Sequence, residues 1–126
     1  HDISLPLSTV SKFLDEARVE ISKLGKFRIN CFGHLGDGNL HFNIFPNKGE
    51  KREDYNYIRP EIKTTIHDLV HLHGGSVSAE HGIGRLKIND LVKYSDPIKL
   101  KLNRSIKAVM DPKGILNPGV IFESNQ

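Results

Sequence analysis

Arg28-Ile29-Asn30-Cys31-Phe32-Gly33-His34-Leu35-Gly36-Asp37-Gly38-Asn39-Leu40-His41-Phe42-Asn43-Ile44-Phe45 decides the fold. Asp37-Gly38 is a strong hairpin signal, because a type I′ turn needs positive φ at both of its central residues. The reading is two strands closed by that dipeptide, with Gly36 facing Asn39, Leu35 facing Leu40 and His34 facing His41. Cross-strand partners have Cβ atoms about 4.5–5.5 Å apart on one face of a sheet, so two imidazoles placed this way can converge on one cation. Alternation supports the pairing. Ile29, Cys31, Leu35, Leu40, Phe42 and Ile44 fall on one side, the expected core face. Asn30, His34, Asn39, His41 and Asn43 fall on the other. A sheet face turned to plain solvent usually carries Lys, Glu and Thr. Taken alone, the hairpin fits a metal site and an ordinary surface histidine pair equally well.

Working outward, Ile3 to Leu7 alternate loosely and read as a strand. Ser8 or Thr9 can cap the next helix, whose apolar residues Val10, Phe13, Leu14, Ala17, Ile21 and Leu24 recur at helical spacing until Gly25. Downstream of the hairpin, a polar segment leads to a second helix marked by Ile58, Ile62, Ile66, Leu69 and Val70, stopped at Gly74-Gly75. Ser76 to Glu80 reads as a short strand before the Gly82-Ile83-Gly84 turn. Asp96-Pro97 has the form of a helix start, a cap followed by proline at the first helical position. Ile98, Leu102, Ile106, Val109 and Met110 form one apolar stripe on that helix. Asp111-Pro112-Lys113-Gly114 and Asn117-Pro118-Gly119 are turns. The order predicts an α+β fold: a ferredoxin-like split βαβ sandwich, an antiparallel sheet with helices on one face, plus a C-terminal helix and tail.

The 126 residues suffice for one domain with a real core. With 37% hydrophobic and 26% charged residues the composition is that of an ordinary globular chain, and no apolar run is long enough to span a bilayer. The first residues lack a signal-peptide pattern; a start inside a longer protein is expected. A single cysteine, Cys31, excludes an internal disulfide framework, and its apolar setting predicts an inert thiol. The net charge is +3, with basic residues gathered between Arg85 and Lys113. Only Tyr94 is interleaved there, so a solvated face or an anionic neighbour is expected, and no nucleic-acid partner.

Glu80 and His81 place an acid and a base side by side at the end of the last strand, with Glu80 on the face of Ser76 and Ser78. Two neutral imidazoles and one carboxylate are a standard ligand set for a divalent metal with open positions. Asp37 competes as the carboxylate but sits at the turn tip, where a turn-forming role accounts for it. His67, His71 and His73 have no acid placed to complete a second site and read as helix-surface residues.

Gly33 to His41, Ser78-Ala79-Glu80-His81-Gly82-Ile83-Gly84 and Met110 to Gly119 resemble, in order, the C-terminal domain of the FAD-linked oxidase family. That family includes D-lactate dehydrogenase, the glycolate oxidase flavoprotein subunit and D-2-hydroxyglutarate dehydrogenase. The resemblance implies that 1–126 is such a C-terminal domain, separated from an upstream flavin-binding domain that holds most of the FAD. By the same resemblance His34, His41 and Glu80 match metal ligands, for a divalent ion such as Zn or Mn. Asn43 and His81 match substrate-binding positions, His81 as the catalytic base, and Asn117 lies in a tail that approaches the flavin. Val120 departs from the pattern, since Lys or Arg commonly follows Asn-Pro-Gly.

The implied activity is oxidation of a small D-2-hydroxy acid to a 2-oxo acid by hydride transfer to FAD, with this piece inactive alone and its polar face open. The alternative is a stand-alone divalent-metal module or a non-haem iron protein with two histidines and a carboxylate. A cytoplasmic location is expected, or the mitochondrial matrix in a eukaryote. A homodimer is compatible with the sequence but not specified by it.

Overall fold

Alternation along the central hairpin survives folding, but its register does not. In the computed structural model, which describes residues 1–123, strand β2 spans Arg28–His34 and β3 spans Asn39–Phe45. They pair antiparallel with Phe32 opposite His41, Gly33 opposite Leu40 and His34 opposite Asn39. The expected pairing of His34 with His41 is therefore corrected by two residues. Leu35–Asp37 form a 3-10 turn closed by Gly38 in the left-handed region (φ 65°), and the Gly38 amide donates to the Leu35 carbonyl at 3.0 Å. Asp37 is not among the residues with positive φ, so the type I′ turn is absent.

The reason lies in the third strand. β1, Asp2–Ser4, pairs antiparallel with β3, with Asp2 opposite His41 and Ser4 opposite Asn39. Leu5 continues that ladder by donating to the Gly38 carbonyl at 2.9 Å. Gly38 thus serves twice: its amide closes the turn on Leu35, and its carbonyl extends the β1–β3 ladder. A Cβ there would stand 1.9 Å from the Leu5 carbonyl oxygen, so glycine is required by both contact and φ. A shift of two residues leaves each side chain on its face. His34 and His41 consequently remain on one face as diagonal neighbours. Leu35, expected on the core face, opens the turn and is 62% exposed.

The sheet order is β1-β3-β2, with one isolated antiparallel bridge from Ser4 to Ser76 at the outer side of β1. This is the order of a split βαβ sandwich whose last strand has contracted to a single bridge. Ser76 Oγ donates to the Ser78 carbonyl at 2.9 Å and accepts from the Ser78 amide at 3.2 Å. Such local side-chain bonds compete with ladder bonds, which is why the expected strand over Ser76–Glu80 does not extend. The expected strand over Ile3–Leu7 likewise shortens, because Leu7–Thr9 turn into a 3-10 helix.

Two helices cover the core face. α1, Val10–Leu24, buries Val10, Phe13, Ala17 and Ile21; α2, Arg59–Leu72, buries Ile62, Ile66 and Val70. Phe13 meets Phe42 edge-on at 5.7 Å. Neither Ser8 nor Thr9 caps α1 through its side chain: Thr9 Oγ1 donates to the Pro6 carbonyl instead. His67 and His73 also correct their surface assignment. His67 is 3% exposed, its Nε2 3.4 Å from Nδ1 of His1. The His73 ring lies edge-on to Phe13 and donates to Glu16 Oε2 at 2.7 Å, joining the end of α2 to α1.

That bond has a pH signature. The hydrogen bond from His73, with the nearby charges of His73 and Lys12, holds the Glu16 carboxyl below its usual value of 4.5 despite desolvation. A carboxylate with a depressed folded-state pKa stabilises above its unfolded pKa and loses that contribution as pH falls through the folded one. Denaturation midpoints measured from pH 6 down to pH 3 should therefore fall less steeply for Glu16→Gln than for the wild type.

The chain divides into two compact units, His1–Glu80, described above, and a second from His81 onward. The second holds α3, Ile88–Tyr94, too short to be read from its pattern, and α4, Pro97–Met110. Asp96 caps α4 as expected, accepting from the Lys99 amide at 2.9 Å. The stripe Ile98, Leu102, Ile106, Val109 and Met110 is exposed, whereas Leu100 is buried. After α4, Asp111 gathers the tail by accepting from Lys107 Nζ and the amides of Ile115 and Leu116. Both expected tail turns form, closed by Gly114 to Asp111 and Val120 to Asn117. Among the described residues no helix is long and apolar enough to cross a membrane.

Candidate metal centre

The face of the sheet away from α1 and α2 carries the polar row. His34 and His41 reach it from the two hairpin strands, and Glu80 reaches it from beyond the Ser76 bridge. Glu80 Oε1 lies 3.5 Å from His34 Nε2 and 3.8 Å from His41 Nε2. Two donors each about 2.1 Å from a shared ion can be no more than about 4.2 Å apart, so each histidine–glutamate pair is within the span of one cation. The three are not yet gathered around a common centre: among the described residues no group of three or more His, Cys, Asp and Glu side chains is arranged to hold a metal ion. The donor types, two imidazoles and a carboxylate, are ones that a divalent metal accepts.

The three side chains differ in freedom. His34 is 70% exposed, Glu80 42% and His41 22%. The His41 ring packs against Phe32, its direct cross-strand partner, at 5.1 Å, which limits its rotamers. His34 has Asn39 opposite it. The Asn39 side-chain amide donates to Glu80 Oε1, while its Oδ1 is buried without a hydrogen-bond partner among the described residues. The Glu80 backbone N–H donates to both carboxylate oxygens of Asp2 at 3.2 Å. Neither Asp2 nor Asn39 was singled out as a partner of Glu80 from sequence. Asn39 at least stood on the polar row, but nothing in the pattern of Asp2 revealed its role.

Asn43 is on the same face, two residues beyond His41 and opposite Asn30. Asp37 is exposed at the turn, where the sequence placed it. His81 and Asn117 belong to the second unit; both are exposed, and Asn117 adopts φ 48° at the start of its turn. Cys31, opposite Phe42, is half-buried, and burial raises its thiol pKa, in keeping with low reactivity.

On β2 the polar face is exposed. Phe32 is 56% exposed beside the strongly exposed His34.

Residues 1–121 match the family described as FAD linked oxidases, C-terminal domain, and the chain belongs to that family. It is 39% identical over 121 residues to an uncharacterized FAD-linked oxidoreductase of Mycobacterium tuberculosis, an alignment covering 96% of this chain and 25% of that protein. It is 37% identical over 124 residues to a D-2-hydroxyglutarate dehydrogenase of Stutzerimonas stutzeri, covering 97% of this chain and 26% of the relative. A mitochondrial D-2-hydroxyglutarate dehydrogenase of Danio rerio is 39% identical over 120 residues, covering 94% and 21%. The chain thus spans about a quarter of the length of such relatives.

Proposed function

We propose that this chain is the metal- and substrate-binding part of a flavin-dependent enzyme that oxidises a D-2-hydroxy acid to the 2-oxo acid. The approach of Glu80 to both His34 and His41 on the polar face, in a chain of an FAD-linked family, carries the reading. His34, His41 and Glu80 would hold a divalent ion, Zn or Mn. When bound, that ion would lower the pKa of the substrate hydroxyl and FAD would accept the α-hydrogen as hydride.

The chain's own residues supply placement and proton transfer. Asn43, beside His41 on the same face, orients the substrate through its amide. His81 takes the hydroxyl proton; imidazole suits a general base working near neutral pH. Asn117 is assigned to the flavin by family resemblance. An upstream flavin-binding domain would hold most of the FAD and cover the open face. The names of the relatives make D-2-hydroxyglutarate the first substrate to test, with D-lactate and glycolate next.

The test is anaerobic mixing of purified full-length protein with these acids. It should be yellow and bleach on addition of substrate. A colourless protein that consumes oxygen with a cosubstrate would replace this reading with that of a non-haem iron enzyme. A colourless protein that only binds metal would replace it with a stand-alone metal module.

A further inference from the structure

Asp2 lies directly opposite His41 in the β1–β3 ladder and is 7% exposed. A carboxylate removed from water is costly unless its oxygens receive hydrogen bonds. Here both oxygens receive the backbone N–H of Glu80. Glu80 stands beyond the last ladder contact, at Ser76, in a segment without regular strand pairing. Its peptide is held by Asp2 and its carboxylate by the Asn39 amide, so the residue is anchored at both ends. Asn39 stands on the strand that carries His41, and Asp2 on the strand beside it. The spacing of the ladder thereby fixes where the Glu80 carboxylate can stand relative to the two rings.

We infer that Asp2 is a positioning residue for Glu80: it pins the Glu80 peptide so that the carboxylate faces His34 and His41, and so sets the affinity of the site for a divalent cation. The inference rests on the ligand reading given above. Outer partners of metal ligands typically contribute about 10–100-fold in affinity.

The experiment uses the full-length protein, with zinc affinity measured by chelator competition and amide exchange followed in the peptide containing Glu80. Asp2→Ala should weaken zinc binding by about 10–100-fold and speed exchange at Glu80 while leaving exchange in α1 and α2 unchanged. Asp2→Asn, which keeps an acceptor oxygen, should restore most of both. Asp2→Leu, of similar size and without an acceptor, carries the same expectation as Asp2→Ala should that variant fold poorly. Wild-type zinc affinity in Asp2→Ala or Asp2→Leu, beside a Glu80→Ala that has lost zinc, overturns this inference alone. A Glu80→Ala that holds zinc as tightly as the wild type overturns the ligand reading, and this inference with it.

Discussion

Glu80→Ala in the full-length protein is expected to lose its bound divalent metal and most of its turnover, with the flavin still in place. Glu80 is the common neighbour of both imidazoles, 3.5 Å from one and 3.8 Å from the other. Its removal takes the only anionic donor from the proposed set and leaves two neutral rings to compete with bulk water for the ion. Loss of an outer partner alone typically costs about 10–100-fold, so a direct ligand should cost at least about 100-fold in affinity. Metal content by elemental analysis and steady-state oxidation of the 2-hydroxy acid check this. His34→Ala should behave alike, whereas His81→Ala should keep its metal and lose about 10²–10⁴-fold in the chemical step. A metal-free Glu80→Ala enzyme with undiminished turnover would refute the proposed role of the site.

The largest effect on stability is expected at Phe42. Its ring is fully buried, edge-on to Phe13, on the strand that also carries His41 and Asn43. Truncating a buried aromatic to alanine removes its transfer energy and leaves a cavity, together about 3–5 kcal/mol. A typical domain has only about 5–15 kcal/mol of net stability. Urea unfolding should show the midpoint of Phe42→Ala drop sharply with little change in slope. Phe32→Ala is the control: the same side chain on the neighbouring strand, 56% exposed on the opposite face, should lose far less. An equal loss from both would mean that the two faces are not divided as described.

The contrast between those two phenylalanines also shows what the sequence made legible. Side-chain direction in a strand has a period of two, so the polar row Asn30, His34, Asn39, His41 and Asn43 was readable without knowing the register. The register itself was not. It depends on Leu5, far from the turn in sequence, claiming the Gly38 carbonyl, and turn preferences are blind to such a contact. The last strand failed for a local reason, the Ser76 hydroxyl bonded to Ser78. His67 was misread because helical spacing marks a broad stripe, and a histidine at its edge is buried only if a partner such as His1 meets it. The proximity of Glu80 to the histidines was anticipated, while the means of holding it there, through Asp2 and Asn39, came only from three dimensions.

Cys31 gives this arrangement a practical handle. It is the sole sulfhydryl of the chain, half-buried in the middle of the hairpin opposite Phe42, with its ionisation suppressed by burial. A thiol-labelling reagent will therefore modify it more slowly than a fully exposed cysteine, and faster once the two strands part. The rate of labelling becomes an intrinsic gauge of how often the scaffold beneath the histidines breathes, read without adding any foreign reporter.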